Sequence, residues 1–191
     1  EIRNAGGEEL KKLEEQHAEL VVRASMKPKH PAFGYHSAIV PGQQTTKWVQ
    51  VDLGQAQAIE QITVIAASDN FNNIGNGFGF PVRYKIEASS DTTFETGVTV
   101  VTDKTKADEP NPGIAPQHFK PDNLEARYIR VTATKLATRS GDYIFALAEL
   151  RLLDANGDNL AEGKTVTALD SIEAPVRWQK SNLVDSIYPG Q

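Results

Sequence analysis

The stretch that decides the fold is "ARYIRVTATKL", residues 126–136. Its side chains alternate between two rows, one mostly polar and one apolar. The first row consists of Tyr128, Arg130, Thr132 and Thr134, and the second of Ile129, Val131 and Ala133. This period of two, with β-branched residues in the apolar row, predicts a β-strand that buries one of its faces.

Six more runs on either side of this stretch have the same character. Each is short, rich in β-branched and aromatic residues, and bounded by Gly, Pro, Asn or Asp. The runs are Lys47–Leu53, Ala58–Ala67, Val82–Ser89, Gly97–Asp103, Ile144–Leu153 and Lys164–Asp170. Seven such strands in so short a chain predict an all-β domain built from two packed antiparallel sheets.

Only the beginning of the chain has helical spacing. Between residues 8 and 24, apolar side chains and one histidine recur at intervals of three and four residues behind two glycines. They are Leu10, Leu13, His17, Leu20, Val21 and Ala24. The spacing predicts an N-terminal amphipathic helix with a solvated Glu/Lys face, on which His17 is a packed side chain rather than a ligand.

Composition narrows the possible functions. The chain has 191 residues, a formal net charge of -5 and no dense cluster of Lys and Arg, which argues against a nucleic-acid partner. It has no Cys, which excludes disulfides, thiolate metal sites and Cys nucleophiles. No apolar run approaches the roughly 20 residues of a membrane span, and the start lacks the apolar core of a signal peptide. We expect the chain to be an excised piece of a larger protein.

The sequence also lacks the common catalytic motifs. None of its four histidines, His17, His30, His36 and His118, lies in a pattern such as H-E-x-x-H, and no Ser lies in G-x-S-x-G. The run "GNGFG" at 75–79 lacks the G-x-G-x-x-G spacing and leads into a strand rather than a helix, so it offers no helix N-terminus to a phosphate. We therefore expect no enzyme activity.

An ordered set of motifs indicates a family. The motifs are "KWVQVDLG" (47–54), "GFPVRYKIEASSD" (79–91), "ARYIRVTATKL" (126–136) and "FALAELRLLD" (145–154). In this order they resemble the discoidin domain, also called the coagulation factor type C (F5/8 type C) domain. The resemblance implies a galactose-binding-like jelly-roll β-sandwich over residues 31–191, with residues 1–30 forming the N-terminal helix and its lead-in.

The resemblance also implies a function. The variant "FNNIGNGFGFPVR" (71–83) is most similar to modules beside bacterial glycosidases, including rhamnosidase-type enzymes. This implies a non-catalytic carbohydrate-binding module of a larger exported bacterial protein, which brings a linked enzyme to a plant or algal glycan. The alternative is a protein- or lipid-binding adhesion module, whose loop tips would expose apolar or basic residues.

One departure from the family concerns the order of segments. Discoidin-type domains begin with a segment similar to "NLAEGKTVTALDSIEAPVRWQKSNLVDSIYPG", which here comes last, at residues 159–190. Either the chain cuts into a second tandem copy, or the domain is circularly permuted and the late segment takes the place of the first strand. We favour permutation, because the termini of compact domains often lie close together.

Candidate ligand-binding residues lie in three loops and in the late segment. Sugar recognition needs amides, carboxylates, guanidinium groups and imidazoles, together with an aromatic face. The candidates are Asp69, Asn70, Asn72, Asn73, Asn76 and Phe78 in the loop 69–81; Arg139, Asp142 and Tyr143; Tyr35 and His36; and Arg177 and Trp178. For Asn72 and Asn73, turn formation and ligand contact remain equally open. Gly75, Gly77 and Gly79 would allow an ordered loop, anchored by burial of either Phe71 or Phe78.

The resemblance further implies a calcium site. The family binds calcium near the segment "VDG" and the Glu of the "LAE" strand, and the matching residues are Asp185 and Glu149. Ser186 replaces the Gly of that segment, and pairing of Glu149 with Arg or Lys is the alternative to a metal site. The turn "DANGD" (154–158) lacks the later ligands of an EF-hand and is expected to be a hairpin turn.

Overall fold

The computed structural model describes residues 2–25, 30 and 32–191. One α-helix, α1 (Ile2–Ser25), precedes fourteen strands. The strands are β1 (Tyr35–His36), β2 (Lys47–Ile59), β3 (Gln61–Ile65), β4 (Ala67–Asp69), β5 (Gly75–Phe78), β6 (Arg83–Ser89), β7 (Thr99–Lys104), β8 (Gln117–Phe119), β9 (Leu124–Lys135), β10 (Ala137–Thr138), β11 (Tyr143–Ile144), β12 (Ala146–Leu147), β13 (Glu149–Leu153) and β14 (Thr165–Ala168). Two 3-10 helices span Phe71–Asn73 and Lys180–Val184.

The larger sheet has five strands in the order β14-β2-β9-β6-β7, and every neighbouring pair is antiparallel. At its centre, β9 contains the stretch from which the fold is predicted. Ile129, Val131 and Ala133 are fully buried; in the other row Arg130 and Thr134 are half-buried, while Tyr128 and Thr132 are only 7% and 8% exposed. The predicted buried apolar row is therefore confirmed, but the opposite row is partly covered as well.

A three-stranded antiparallel sheet, β13-β3-β8, supplies the second layer. Its apolar residues Ile62, Val64, Leu150 and Leu152 join those of β2, β6 and β9 in one buried cluster. The predicted fold class, an all-β jelly-roll sandwich of antiparallel sheets with an N-terminal helix, is confirmed.

Two of the predicted strands are each divided into shorter strands, because successive parts of the run pair with different neighbouring strands. The run Ala58–Ala67 turns at Glu60, where β2 of the larger sheet ends and β3 of the smaller sheet begins. The run Ile144–Leu153 becomes β11, β12 and β13, which pair in turn with β10, β1 and β3. Periodicity reports which faces are buried, but it does not report which strand lies alongside.

The late segment lies in the same sandwich as the rest of the domain. Strand β14 pairs with β2 at the edge of the larger sheet, and Ala161, Val166 and Leu183 belong to the core. In the turn before it, one Asp154 carboxylate oxygen, Oδ1, accepts from the backbone N–H groups of Asn156 and Asp158. A bridge between Leu153 and Asn159 closes this turn, but the expected hairpin of β13 with the late strand does not form, because β14 pairs with β2 instead. A permuted origin of the segment and the boundaries 1–30 and 31–191 stay predictions.

Helix α1 is present, but its apolar stripe does not pack within the described residues. Leu10, Leu13 and Leu20 are 58%, 57% and 62% exposed, and His17 is exposed as well. The prediction that His17 is packed is therefore wrong, whereas the side chains of residues 21–29 lie outside the described set. Among the described residues, no helix is both long and apolar enough to cross a membrane.

Candidate functional site

The two candidate loops meet because their flanking strands are neighbours. Loop one is residues 69–81, ahead of β6, and loop two is residues 135–145, at the end of β9. Since β6 and β9 are antiparallel and Arg83 lies opposite Lys135, both loops lie at one end of the larger sheet. They also touch: the Asn72 side-chain amide donates to the Arg139 carbonyl at 2.9 Å. We call this region the loop junction.

Loop one is an ordered hairpin, as predicted from its three glycines and three phenylalanines. Strands β4 and β5 pair, and between them the Asp69 carboxylate accepts from the Phe71 backbone N–H at 2.9 Å. Asn72 and Asn73 take φ angles of 51° and 60°, the left-handed region that asparagine tolerates better than most residues. Both therefore form the turn, and the Asn72 amide in addition ties loop one to loop two.

A cluster of aromatic rings lies beneath the junction. Phe78 stacks on Trp178 with ring centroids 5.8 Å apart, and His36 packs against both at 5.8 and 5.0 Å. Phe78 is 2% exposed and Trp178 is 5% exposed, so Phe78 anchors loop one. The prediction that Phe78 and Trp178 contact the ligand is corrected, because both rings are buried and used for packing.

The aromatic side chain that does reach the surface is Phe71, which is 46% exposed. The Arg139 guanidinium carbon lies 4.7 Å from the centre of its ring. The remaining candidate aromatics are packed: Tyr35 is fully buried, and Tyr143 is half-buried against the core. Sequence patterns do not separate Phe71 from Phe78, because both lie in the same glycine-rich loop and only the hairpin geometry decides which side chain turns inward.

His36 forms part of the floor beneath the junction and is only 3% exposed, so the prediction that it contacts the ligand is corrected on the same ground of burial. Its Nδ1 lies 2.6 Å from the Ser37 carbonyl oxygen, so Nδ1 carries a proton and donates it. Burial lowers the pKa of His36, and the nearby Arg139 lowers it further, while the bond to Ser37 and the charges of Asp69 and Asp142 act in the opposite direction. The net effect favours a neutral imidazole at the centre of the junction.

Two arginine–aspartate pairs surround this floor. Arg139 holds Asp142 by a two-point contact, Nε to Oδ1 at 2.8 Å and Nη2 to Oδ2 at 2.6 Å. Arg177 donates from Nη2 to Asp69 Oδ2 at 2.8 Å. The bond to Arg139 lowers the pKa of Asp142 and raises that of Arg139, so both stay charged near neutral pH. The charges are balanced, yet each arginine keeps N–H donors that these contacts do not use.

The other candidate amides lie around loop one. Asn70 and Asn73 are exposed at its tip, whereas the Asn76 side-chain oxygen accepts from the Ser68 hydroxyl at 2.8 Å. The structure thus brings together Asp69, Asn72, Arg139, Asp142 and Arg177 above His36. Asn111 lies beside this set and is not part of it: its amide nitrogen lies 3.4 Å from the carbonyl oxygens of Asn76 and Gly77, and the sequence around it carries no strand or site motif.

The two residues predicted to bind calcium lie near each other. Glu149, at the start of β13, is fully buried, and its Oε1 accepts from the Ser186 backbone N–H at 3.2 Å. Burial raises the pKa of Glu149 to about 9, and the negative charge of Asp185 contributes to that rise. Asp185 Oδ1 accepts from the Ile187 backbone N–H at 2.9 Å.

This pair fits a cation, because the Glu149 Oε2 atom is buried and has no hydrogen-bond partner among the described residues. A buried carboxylate in that state takes up either a proton or a positive ion. Ser186 has a φ of 62°, so it adopts the left-handed conformation that the family's Gly would take. Within the described part of the chain, no cluster of three or more His, Cys, Asp and Glu is present, so further ligands would have to be backbone or amide oxygens.

Comparison with known proteins addresses the family. A sequence model of the F5/8 type C domain family matches residues 30–150. None of the curated proteins compared with the chain is a significant match.

Several solved structures are similar at low identity. Chitosan-binding module 1 of a chitosanase/glucanase from Paenibacillus sp. IK-5 is 20% identical, with 62% of this chain and 74% of that chain covered and a TM-score of 0.45. CpGH89CBM32-5 from Clostridium perfringens, in complex with GalNAc-β-1,3-galactose, is 17% identical, with 59% and 68% covered and a TM-score of 0.41. The CBM32 of AlyQ, in complex with 4,5-unsaturated mannuronic acid, is 20% identical, with 60% and 75% covered and a TM-score of 0.41. At these identities and TM-scores, the likeness carries no conclusion about a ligand of this chain.

Proposed function

The chain belongs to the F5/8 type C domain family, and from this premise we propose that it is a non-catalytic carbohydrate-binding module whose ligand binds at the loop junction. The observation that carries the proposal is the convergence of two arginine–aspartate pairs and the Asn72 amide beside the exposed ring of Phe71. This set combines donors, acceptors and an apolar face in one shallow patch.

The chemistry of a sugar suits this patch. Adjacent hydroxyl groups of a pyranose both donate and accept, so one hydroxyl can accept from the unused N–H groups of Arg139 while its neighbour donates to the Asp142 carboxylate. The C–H face of the ring can lie against Phe71, whose exposed fraction is 46%. Because the charges in each pair balance, a neutral sugar suits the patch without leaving a charge unpaired.

We expect binding to be weak. A shallow site makes few hydrogen bonds, and each replaces a contact with water, so the net gain per bond is about 1 kcal/mol. A dissociation constant on the order of 1 mM for a single sugar corresponds to about 4 kcal/mol. Such modules are useful when they are linked to other domains, because linkage raises the effective concentration.

We also propose a structural calcium ion held by Glu149 and Asp185. The support is the buried Glu149 Oε2 atom without a partner and the second carboxylate close to it. Calcium prefers carboxylate and carbonyl oxygens, which this end of β13 and the residues after Val184 supply. The ion would neutralise the two carboxylates and fix the tail against β13, whereas the sugar-binding groups at the junction would act without it.

The finer parts of the proposal are supported only by the sequence resemblance. We propose that the module belongs to a larger exported bacterial protein and that it brings a linked enzyme to a plant or algal glycan. The alternative, a lipid-binding module, is favoured by one observation, the exposed Phe71 at the tip of loop one. A membrane-binding loop would combine such a residue with unpaired cations, and here the arginines at the junction are paired with aspartates.

The test is a screen of monosaccharides and of plant and algal polysaccharides, with and without a chelator, followed by titration calorimetry on each hit. Flotation with vesicles of neutral and of anionic lipid runs in parallel. Binding to a saccharide that Arg139→Ala weakens, with no flotation, supports the proposal. Flotation that Phe71→Ala removes, with no saccharide bound, would contradict it and support the alternative.

A further inference from the structure

A cleft lies directly beside the loop junction. It has a volume of about 180 Å³ and lies between loop one and β10. Its lining residues are Ile74, Gly77, Gly79, Phe80, Pro81, Val82, Glu109, Asn111, Ala137 and Thr138. None of the sugar-binding groups described above lines it, so the cleft is a separate feature.

The cleft and the junction are continuous along both loops. In loop one, Phe71 and Asn72 contact Arg139, and Ile74 lines the cleft two residues further on. In loop two, Thr138 lines the cleft and is followed at once by Arg139. A chain molecule bound at Arg139 and lying along the contact between the two loops would therefore pass from the junction into the cleft.

One wall of the cleft depends on a glycine. A Cβ atom on Gly77 would lie 1.7 Å from the Asn111 side-chain oxygen, so only glycine lets the Asn111 amide lie against this backbone. Gly77 also has a φ of 80°, which is unfavourable for other residues. The close approach places an amide at the rim of an otherwise largely apolar cleft.

The chemistry of the lining differs from that of the junction. Ile74, Pro81 and Val82 supply apolar surface, and Asn111 and Thr138 supply an amide and a hydroxyl. The one charged group of the lining is Glu109, whose Oε2 lies 3.5 Å from Lys104 Nζ. A cleft of this kind accepts a neutral group with an apolar face and a few hydroxyl or amide substituents.

We propose that this cleft is a second subsite, which takes the next neutral sugar unit of an oligosaccharide whose first unit is bound at the loop junction. The inference rests on the proposed function. Pockets for drug-sized ligands are typically about 300–1,000 Å³, so a cleft of about 180 Å³ has room for a single unit or its acetamido group. The module then recognises a short stretch of a glycan rather than one terminal sugar.

The test compares saccharides of increasing length by titration calorimetry. The probes are galactose with its β-linked di- and trisaccharide, and N-acetylglucosamine with chitobiose and chitotriose. We expect at least one series in which the disaccharide binds about tenfold more tightly than the monosaccharide, with little further gain from the third unit.

Two variants test whether the tighter binding of the disaccharide arises in the cleft. Thr138→Trp places a large side chain into the cleft from an exposed position, and Asn111→Ala removes the amide that lines the cleft. Both variants should lose the preference for the disaccharide, while their affinity for the monosaccharide is kept. Thr167→Trp, at an exposed strand position of β14 away from the cleft, is the matched control and should keep the preference. Thermal melts of all three variants confirm that they fold.

The outcomes separate this inference from the proposed function. Equal affinity for all lengths in a series that binds, or a length preference that survives both cleft variants, would overturn the second subsite and leave the junction site standing. Failure of the unaltered protein to bind any of these probes or any saccharide of the screen described above would contradict the proposed function and the subsite together.

Discussion

The two ends of the larger sheet differ: one end has the larger clefts, whereas the other has the polar and charged side chains suited to binding a ligand. The end opposite the loop junction carries the larger clefts, of about 360 and 520 Å³, which share Thr99 and Glu125 in their lining. The junction end has a cleft of about 180 Å³ but gathers two arginine–aspartate pairs and a buried carboxylate. Cleft size alone would select the opposite end.

The carboxylates show why size is a poor guide here. At the opposite end, Asp91 accepts five hydrogen bonds, from the backbone of Thr93, Glu95 and Thr96 and from two threonine hydroxyls. These bonds, led by that from the Thr93 backbone, lower the pKa of Asp91 and occupy its acceptor capacity. Its role is to shape the 90–97 loop. At the junction, Asp142 accepts three hydrogen bonds, two from the Arg139 guanidinium and a longer one of 3.4 Å from the Ser140 backbone N–H, which leaves it more acceptor capacity than Asp91 has.

The largest effect we predict concerns two phenylalanines in loop one. Phe78→Ala should lower the free energy of unfolding by about 3–5 kcal/mol, because the ring is 2% exposed and its loss leaves a cavity against Trp178. Phe71→Ala, at a site that is 46% exposed, should change it by less than about 0.5 kcal/mol but weaken saccharide binding. Denaturant unfolding of both variants measures the difference, and equal losses would contradict the assignment of Phe78 as the anchor.

The second-largest effect that we predict is on the pH dependence of stability, and it concerns Glu149 at the junction end. Its folded pKa of about 9 lies above the ordinary value of 4.5, so in the metal-free protein its contribution to stability is fully present below about pH 4.5 and is lost as the pH rises to about 9. The slope is at most about 1.4 kcal/mol per pH unit. Calcium should reverse the loss by binding the folded state.

Thermal melts at pH 5 and pH 8 check this. With a chelator, the unaltered protein should melt at a lower temperature at pH 8 than at pH 5, and calcium should raise the melting temperature at pH 8. Glu149→Gln, which keeps the shape of the side chain without the charge, should not respond to calcium and should not melt at a lower temperature at pH 8 than at pH 5. Melting temperatures of the unaltered protein that respond neither to pH nor to calcium would contradict the cation site.

The sequence predicted the strands better than the site, for physical reasons. In β9 the apolar row Ile129, Val131 and Ala133 is fully buried, and these residue types by themselves indicate a buried strand face, so the central strand could be predicted. Asn111 could not be predicted, because its place beside Gly77 depends on a contact between segments 34 residues apart. Phe71 and Phe78 have the same side chain, and only the hairpin of β4 and β5 decides which is exposed.

The next prediction concerns binding without loss of stability. Arg139→Ala should weaken saccharide binding by at least about tenfold, because it removes the donors and releases Asp142. Arg127→Ala is the matched control: Arg127 holds Asp52 by the same two-point contact, at 2.7 and 2.9 Å, on the larger sheet away from the junction. It should leave binding unchanged, and both variants should melt within a few degrees of the unaltered protein. A similar loss of affinity in both would argue against a specific role for Arg139.

The smallest expected effect is at the opposite end. Glu125 lines both of the larger clefts and is exposed, so Glu125→Gln removes a charge there without disturbing the core. We expect no change in saccharide affinity and a change in the free energy of unfolding below about 0.5 kcal/mol. Calorimetry with the saccharide that binds the unaltered protein checks this, and a clear loss of affinity would move the site to that end.

The most direct test of glycan binding at the loop junction is a titration of the ¹⁵N-labelled protein with that saccharide, followed by amide chemical shifts. The largest shifts should fall on residues 69–76, 139–143 and 177, with smaller shifts on 111 and 138 once a disaccharide is used. The amide shifts of residues 88–91, 96, 97, 99–101 and 120–126, which line the larger clefts, should not change. Chemical-shift changes concentrated on this second set of residues, with no changes at the loop junction, would contradict the assignment of the site.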